Sequence, residues 1–297
     1  MGGGGNKPLT NSLKTLKNST PQKLTKNPKK IQESKKDSKT ISKIGISIIA
    51  SVLLSQNLAA LPAGGKFVGG SSGSIKVNGK EMNITGNNKN HVIAWGGGFN
   101  INSGERVNFK GSGKSFLNLD YSNKASKILG TLNGGGNNIY LVNPSGVLIG
   151  EGGKVNNVGR FVASTSSLDK ALIKFVNEAK QNGDQNAVYF SPVFSRGSLK
   201  GNVINMGTIN ANNIMLVGNV VRNLTSNGTK DVQGKYNNTG NLHIIGSEIF
   251  LDVEGVQNKK NIRLTGTNDV LNSTPKITVQ IIRGDFISKC SFLKLSA

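Results

Sequence analysis

Cysteines, aromatic rings and acidic groups are all scarce in this 297-residue chain. The single cysteine, Cys290, excludes a disulfide framework and any zinc site built on cysteines. The two histidines, His91 and His243, stand far apart and have no neighbouring cluster of metal ligands, which favours structural roles. The 15 acidic residues form no Asp-rich calcium motif and no evident carboxylate pair. These absences argue against a metalloenzyme and against a polysaccharide-cleaving enzyme.

Positive charge is plentiful but unevenly placed. Lys and Arg number 37, and the formal net charge of +22 first suggests a nucleic-acid or anionic-membrane partner. Residues 1–43, the basic arm, hold eleven lysines and two acids, whereas residues 44–63 hold no charged side chain. Residues 64–297 keep 26 basic and 13 acidic side chains, a net of +13. The chain therefore has a compositional boundary rather than a uniformly basic surface.

No apolar run is long enough to span a bilayer, which takes about 20 residues. The longest run covers residues 44–54, follows the basic arm and precedes small residues at Ala60 and Ala63. That order is typical of a secretory signal. We predict an extended signal peptide over residues 1–60, cleaved between Ala60 and Leu61, with cleavage after Ala63 as the alternative. Because the basic arm leaves with the signal, we expect no nucleic-acid partner.

Glycine and asparagine dominate the rest, with 34 of each in residues 64–297. Both tolerate positive φ, so the chain can turn often and tightly. Short β-branched runs lie between Gly/Asn clusters, which is the signal for strands. The runs are Ser74–Val77, His91–Trp95, Asn138–Val142, Ile214–Val217, Leu242–Ile245, Glu248–Val253 and Ile277–Ile282.

Helical periodicity is limited to residues 168–180, where Ser166 and Asp169 have the spacing of a capping box. Its apolar face consists of Leu168, Leu172, Val176 and Ala179. Two dipeptides, Asn78-Gly79 and Asn227-Gly228, predict hairpin turns.

A loose internal repeat supports a stacked architecture. Asn205–Ile209 is echoed by Asn238–Leu242 and partly by Asn227–Thr229, and an apolar strand soon follows the first two. Short strands, Asn/Gly corners and repeats predict an all-β fold, a right-handed parallel β-helix with a few antiparallel hairpins and one short helix. The alternative is an antiparallel sandwich, which calls for clearer period-2 alternation.

Several blocks, in their order and spacing, resemble a known family over about Leu61 to at least Leu216. The blocks are Leu61–Gly65, His91–Trp95, Phe99–Ile101, Gly104–Phe109, Ile128–Gly130, Ile139–Gly150 and Val162–Thr165. They look like the N-terminal secretion domain of two-partner secretion exoproteins, the filamentous haemagglutinin-like and high-molecular-weight adhesin-like proteins. The resemblance implies such a β-helix domain over residues 61–297.

The family pattern at the centre is Asn-Pro-Asn-Gly followed by an aliphatic residue. This sequence has Asn143, Pro144, Ser145, Gly146 and Val147, so serine replaces the second asparagine of the family pattern at the third position. The residue types predict a rigid turn, because proline fixes φ, glycine is permissive and asparagine can close an Asx-turn. The resemblance implies that the partner transporter also needs this turn as a secretion motif.

The resemblance implies passage through the Sec translocon and then recognition by a cognate outer-membrane TpsB-type β-barrel transporter. We expect a non-enzymatic secretion domain of an adhesin or haemagglutinin-like exoprotein, displayed on a Gram-negative cell surface, with no cofactor and with host-cell glycans as further partners. The alternatives are the delivery segment of a contact-dependent or haemolytic toxin and, less well supported, a β-helix polysaccharide-cleaving enzyme.

Three other features carry smaller predictions. Gly111–Ser115 matches part of a phosphate loop, but Asn108 stands where that motif requires glycine. Glu81–Thr85 fits a bacterial glycosylation acceptor centred on Asn83. The last 12 residues, 286–297, lose the Gly/Asn corners, and we hypothesise a truncated, frameshifted or split reading frame there.

Overall fold

The computed structural model describes residues 61–181, 199–224, 237–238, 240–252, 256–257, 261–266, 278–283 and 293–296. The predicted signal peptide, the predicted turn at Asn227-Gly228 and Cys290 lie outside these ranges. Within them, no helix is both long enough and apolar enough to cross a membrane.

Strands dominate the described residues, as the β-branched runs predict. In chain order they are β1 (Ala63–Val68), β2 (Gly73–Asn78), β3 (Glu81–Gly86), β4 (Asn90–Gly98), β5 (Asn100–Ile101), β6 (Arg106–Phe109), β7 (Ser115–Asp120), β8 (Ser126–Ile128), β9 (Thr131–Val142), β10 (Val147–Ile149), β11 (Lys154–Ser164), β12 (Val203–Asn205), β13 (Thr208–Val217), β14 (Val220–Asn223), β15 (Asn237–Asn238), β16 (Asn241–Gly246), β17 (Glu248–Asp252), β18 (Val256–Gln257), β19 (Asn261–Gly266), β20 (Thr278–Arg283) and β21 (Leu293–Ser296). The helix, α1, spans Leu168–Gln181.

The strands stack as the coils of a parallel β-helix, which confirms the predicted fold class over the sandwich. Asn90 pairs with Ser115, Ser115 with Asn138, and Asn138 with Arg160, so one coil takes about 22 to 25 residues. A front face consists of β4, β7, the end of β9, the end of β11, the end of β13, β16, β19 and β21. A back face consists of β5, β8, β10, β12, β14, β17 and β20. A side face consists of β3, β6, the start of β9, the start of β11, the start of β13, β15 and β18.

The interior holds one apolar side chain above another along each face. On the side face Val107, Leu132, Val155 and Ile209 form such a column, and each is 0% exposed. On the front face a second column consists of Phe116, Ile139, Phe161 and Ile214, each at most 2% exposed. Every coil therefore extends a continuous core, and this burial is what stabilises strands that are individually only a few residues long.

Helix α1 lies on the outward side of the front face, within a long insertion between β11 and β12. Ala171 and Phe175 are buried against the outward side chains of the sheet, and Phe175 contacts the ring of Tyr140 edge-on at 5.8 Å. The predicted apolar face of the helix is only partly buried, because the contact with the sheet is centred on Ala171 and Phe175 instead. The Ser167 carbonyl accepts the first helical bond from the Ala171 N–H, which makes Ser167 the N-cap residue.

Two predictions about turns and repeats have different outcomes. The hairpin at Asn78-Gly79 forms, with Asn78 opposite Glu81 and Gly79 at φ +56. The predicted repeat is only partly right. Strand residues 214–217 and 242–245 pair in register, but Asn205 lies on the back face whereas Asn238 pairs on the side face. The repeat was partly wrong because the buried apolar columns determine which residues of successive coils align. Asparagine occurs both at corners and in strands, so it does not mark equivalent positions.

Candidate functional site

The predicted secretion motif forms the corner that joins β9 on the front face to β10 on the back face; we call residues 143–146 the proline corner. The Gly146 N–H donates to the Asn143 carbonyl at 3.0 Å, which closes a β-turn. The Ser145 N–H donates to Asn143 Oδ1 at 2.9 Å, which adds an Asx-turn inside it. Gly146 has φ +123, a value that residues with a Cβ rarely adopt.

The corner exposes very little of itself. Asn143 is 0% exposed and Gly146 is buried, while Pro144 is half-buried and Ser145 is exposed. Val147 is 1% exposed and belongs to the core. A partner that meets the folded corner can therefore contact Pro144 and Ser145 but not the asparagine.

The preceding coil holds the corner from one side through the Asn143 side chain. Asn143 Nδ2 donates to the Lys124 carbonyl at 2.8 Å and to Ser126 Oγ at 2.9 Å. Ser126 Oγ in turn donates to Asp120 Oδ2 at 2.6 Å. Asp120 is 1% exposed, so this chain of side-chain bonds runs inside the protein.

The following coil and the insertion that carries α1 hold the corner from the other side. The Asn143 N–H donates to the Ser164 carbonyl at 2.9 Å, and the Thr165 hydroxyl donates to the Gly201 carbonyl at 3.2 Å. A Cβ on Gly201 would lie 2.4 Å from the Pro144 carbonyl oxygen. Residues 165 and 201, the two ends of the insertion, therefore contact each other and pack tightly against the proline corner.

Perturbed titrating groups occur away from the corner. Burial beneath α1 raises the pKa of Tyr140 to about 12. Burial also raises the pKa of Glu178, with the Lys174 ammonium 3.8 Å away opposing the shift. On the outward side of β16, burial and the Arg263 charge lower the pKa of His243 to about 4. A neutral His243, 3.0 Å from the Thr265 hydroxyl, fits a structural role.

His91 is likewise enclosed by partners. Its Nε2 accepts from the Asn88 N–H at 2.9 Å, its Nδ1 lies 3.3 Å from the Ser115 carbonyl, and its ring stacks on Phe116 at 4.5 Å. Among the described residues, no group of three or more His, Cys, Asp and Glu side chains could hold a metal ion.

The geometry around the proline corner is that of a tightly held turn, suited to binding and folding.

The remaining predicted residues lie apart from the corner. Asn83, the predicted glycosylation acceptor, is half-buried in β3, and its Oδ1 accepts from Asn108 Nδ2 at 3.1 Å. Lys114, in the segment that resembles a phosphate loop, donates through Nζ to the Gly86 carbonyl at 2.6 Å. Leu61 is 7% exposed and belongs to the core, while Ala60 lies outside the described residues. Part of the questioned C-terminal segment, Leu293–Ser296, forms β21 and pairs with β19.

Sequence reasoning missed Asp120 and an amide row on the side face. The row runs through Asn83, Asn108, Asn133, Asn156 and Asn210 in successive coils. Asn210 Nδ2 donates to Asn156 Oδ1 at 2.8 Å, in the manner of an amide ladder. Each asparagine follows an interior apolar residue, and that local pattern, aligned coil by coil, is the signal that would have revealed the row.

Comparisons with known proteins identify sequences that are similar to this chain. The family model described as the TPS secretion domain matches residues 59–284. The heme/hemopexin-binding protein of Haemophilus influenzae is 30% identical over an alignment of 207 residues, which covers 66% of this chain and 22% of that protein. The chain thus spans about a fifth of that relative.

Among solved structures, the HMW1 secretion domain from Haemophilus influenzae aligns with a TM-score of 0.46 and 20% identity, over 68% of this chain and 62% of that one. The family match covers well over half of the chain, and the resemblance inferred from the sequence blocks is confirmed. The chain therefore belongs to the TPS secretion domain family, the secretion domains of two-partner secretion exoproteins.

Proposed function

We propose that this chain directs an adhesin or haemagglutinin-like exoprotein to the cell surface, and that the proline corner is the feature its transporter requires. TPS secretion domains belong to exoproteins that leave Gram-negative cells by two-partner secretion, and each implies a cognate TpsB outer-membrane transporter. We further propose that this corner acts as a secretion motif, which consists of Asn143, Pro144, Ser145, Gly146 and Val147.

The burial of Asn143 is the observation that supports this role. Its amide makes bonds to Lys124, Ser126 and Ser145 and is closed off from solvent. Asn143 therefore acts through the turn that it closes, and the transporter contacts Pro144 and Ser145 at the exposed tip, on a chain whose later coils have not yet folded. Strand addition to a free sheet edge is a suitable mode of contact, because main-chain bonds do not need finished side-chain packing.

Stacking explains how folding follows export. Each coil places its strands on the edges left by the coil before it, and buries apolar side chains as it does so. Folding can therefore proceed coil by coil as the chain emerges outside the cell. The apolar columns that drive it need neither a disulfide nor a metal to form.

Entry into this pathway begins at the Sec translocon, with the predicted signal peptide removed between Ala60 and Leu61. Leu61 packs in the core and β1 begins at Ala63. Cleavage after Ala63 would remove a core side chain, so these contacts support the earlier position. N-terminal sequencing of the exported chain tests it, and a first residue other than Leu61 would contradict it.

For the cargo we propose adhesion, with host-cell glycans as partners and no enzymatic step in this segment. The net of +13 on residues 64–297 supports attachment to anionic surfaces. The relative named above is described as binding haem and hemopexin, but this chain matches about a fifth of it. Binding of the exported chain to arrays of sialylated, sulfated and neutral glycans tests the partner class, and binding to none of them would contradict it.

A matched pair of asparagines tests the secretion role. Asn137 is also 0% exposed and lies at the other corner of the same coil, residues 134–137, which we call the glycine corner. Its Nδ2 donates to the Gly134 carbonyl at 2.8 Å and to the Gly111 carbonyl at 3.2 Å. Asn143→Ala and Asn137→Ala therefore remove comparable side-chain bonds from the fold.

The full chain is co-expressed with its cognate transporter, and the fraction in the medium is measured for each variant. We expect Asn143→Ala and Pro144→Ala to lower export about tenfold, and Asn137→Ala to lower it by less than about twofold, since a loss of about 1.4 kcal/mol in recognition is a factor of ten. Equal export of all three, or equal loss in Asn143→Ala and Asn137→Ala, would show that the proline corner is only structural.

A further inference from the structure

Asp120 belongs to neither the family pattern nor the predicted motif, yet its carboxylate bonds to the preceding coil directly and to the following coil through Ser126. It ends β7, and its side chain is 1% exposed. Oδ2 accepts from the Phe99 N–H at 2.8 Å, in the coil before it. The same oxygen accepts from Ser126 Oγ at 2.6 Å, and Oδ1 accepts from the Ser122 N–H at 2.9 Å. A buried carboxylate with three donors is a fixed element of the structure.

The direction of these bonds has a consequence for Asn143. Asp120 Oδ2 accepts from the Ser126 hydroxyl, and a hydroxyl has only one proton to donate. Ser126 Oγ can then only accept, and it does so from Asn143 Nδ2 at 2.9 Å. The Lys124 carbonyl, also an acceptor, takes the second Nδ2 proton at 2.8 Å.

With its NH₂ group held by two acceptors, the Asn143 amide has one orientation available. Its Oδ1 faces the Ser145 N–H and closes the Asx-turn at 2.9 Å. A reversed amide would place NH₂ against the Ser145 N–H and oxygen against the Lys124 carbonyl, which are two repulsive contacts in a buried site.

We propose that Asp120 is the positioning residue of the proline corner: by fixing the direction of the Ser126 hydroxyl it keeps a second acceptor on the Asn143 NH₂ group, and so it holds the closed turn that the transporter requires. The transporter part of this statement rests on the function proposed above; the positioning part stands on the hydrogen bonds alone. Asp120 acts through Asn143 and does not itself meet the partner.

The sharpest variant is Asp120→Asn, which keeps the shape and removes one acceptor. If the new NH₂ group takes the place of Oδ1, it faces the Ser122 N–H. If it takes the place of Oδ2, it faces the Phe99 N–H. Ser126→Ala is the second variant, since it cuts the link to Asn143 and leaves the two backbone bonds of Asp120 intact. Glu105→Gln is the matched control, because Glu105 Oε2 accepts from the Asn102 N–H at 2.7 Å in another turn.

Amide hydrogen exchange at Ser145 and Gly146 in the full chain reads the corner directly. We expect Asp120→Asn to speed exchange at both amides about tenfold or more and Ser126→Ala about threefold, and Glu105→Gln to leave both rates unchanged. Unchanged rates in both Asp120→Asn and Ser126→Ala would overturn the positioning role, whatever the export result. Equal acceleration in Glu105→Gln would also overturn it, because the effect would then be global loosening.

Export of the same variants, alone and combined with Asn143→Ala, separates the two parts of the proposal. Asp120→Asn is expected to lower export severalfold in the wild-type background and to cause no further loss once Asn143 is alanine, because both act on one turn. Additive losses would contradict action through Asn143. If Asn143→Ala exports normally while Asp120→Asn still speeds exchange at Ser145, the positioning role stands and the proposed secretion role fails.

Discussion

The glycine corner and the proline corner lie at opposite ends of one strand segment and use the same device with different outcomes. Each has a fully buried asparagine whose amide bonds to the preceding coil. At the glycine corner the exposed tip is Gly136, which offers no side chain. At the proline corner the tip is Ser145 beside a half-buried Pro144.

The comparison shows that a buried asparagine is not particular to the proline corner, so specificity must reside in what surrounds it. Only the proline corner joins two faces through a proline turn, is tied to a buried carboxylate and supports the base of the α1 insertion. Changes matched between the corners can therefore separate stability from export.

The largest expected effect comes from adding a methyl group where each corner meets a neighbouring coil. A Cβ on Gly201 would lie 2.4 Å from the Pro144 carbonyl oxygen, and one on Gly135 would lie 2.4 Å from the Phe109 carbonyl oxygen. Because backbone must shift in both cases, Gly201→Ala and Gly135→Ala should each lower the free energy of unfolding by about 3 kcal/mol. Denaturant unfolding measures this. Only Gly201→Ala should also lower export, and a similar export loss in both variants would break the distinction.

Truncating the buried asparagines should have the next largest effect. Asn143→Ala and Asn137→Ala each leave buried backbone partners unpaired, so each should lower the free energy of unfolding by about 2 kcal/mol. Thermal unfolding of the two variants checks this. A difference above about 1 kcal/mol would mean that they are not matched for stability, and the export comparison would need to be corrected for it.

Backbone conformation gives a smaller contrast. Gly146→Ala forces a side chain onto φ +123 with the Asn202 carbonyl oxygen 3.1 Å from the new Cβ, and should lower the free energy of unfolding by about 2 kcal/mol. Gly136→Ala places a side chain at φ +80 with Ser112 Cβ 3.6 Å from the new Cβ, so it should lower the free energy of unfolding by about 1 kcal/mol. The reverse ranking in denaturant unfolding would contradict the assignment of strain.

The smallest effect belongs to the exposed tip. Ser145→Asn restores the family residue at an exposed position and should change the free energy of unfolding by less than about 0.5 kcal/mol. Because asparagine closes a backbone turn better than serine, export should stay equal or rise, by at most about twofold. A fall in export would show that the departure from the family pattern is adapted to this chain's own transporter.

Much of the fold was predictable because its signals are local. The β-branched runs, the turn at Gly79 and the helix near residues 168–180 depend on neighbours in sequence, and the structure has all three. The proline corner was predictable for the same reason, since Asn143 and Ser145 bond each other two residues apart.

Contacts between coils were beyond reach of the sequence pattern. Asp120 meets Ser126 and, through it, Asn143, across residues that no motif connects. The pairing of Asn205 with Asn223 inside the back face was equally hidden, because both read as ordinary corner residues.

By itself the sequence determined a Gly/Asn-rich parallel β-helix, its family and the position of the Asn-Pro-Ser-Gly turn. Strand, turn and family signals each depend on residues that are close together in the chain. Only the tertiary structure decided that Asn143 is buried, that Ser145 alone stands at the exposed tip, and that Asp120 orients the turn from another coil. Those facts depend on which coil lies against which, and stacking is fixed by the burial of apolar columns along the whole helix.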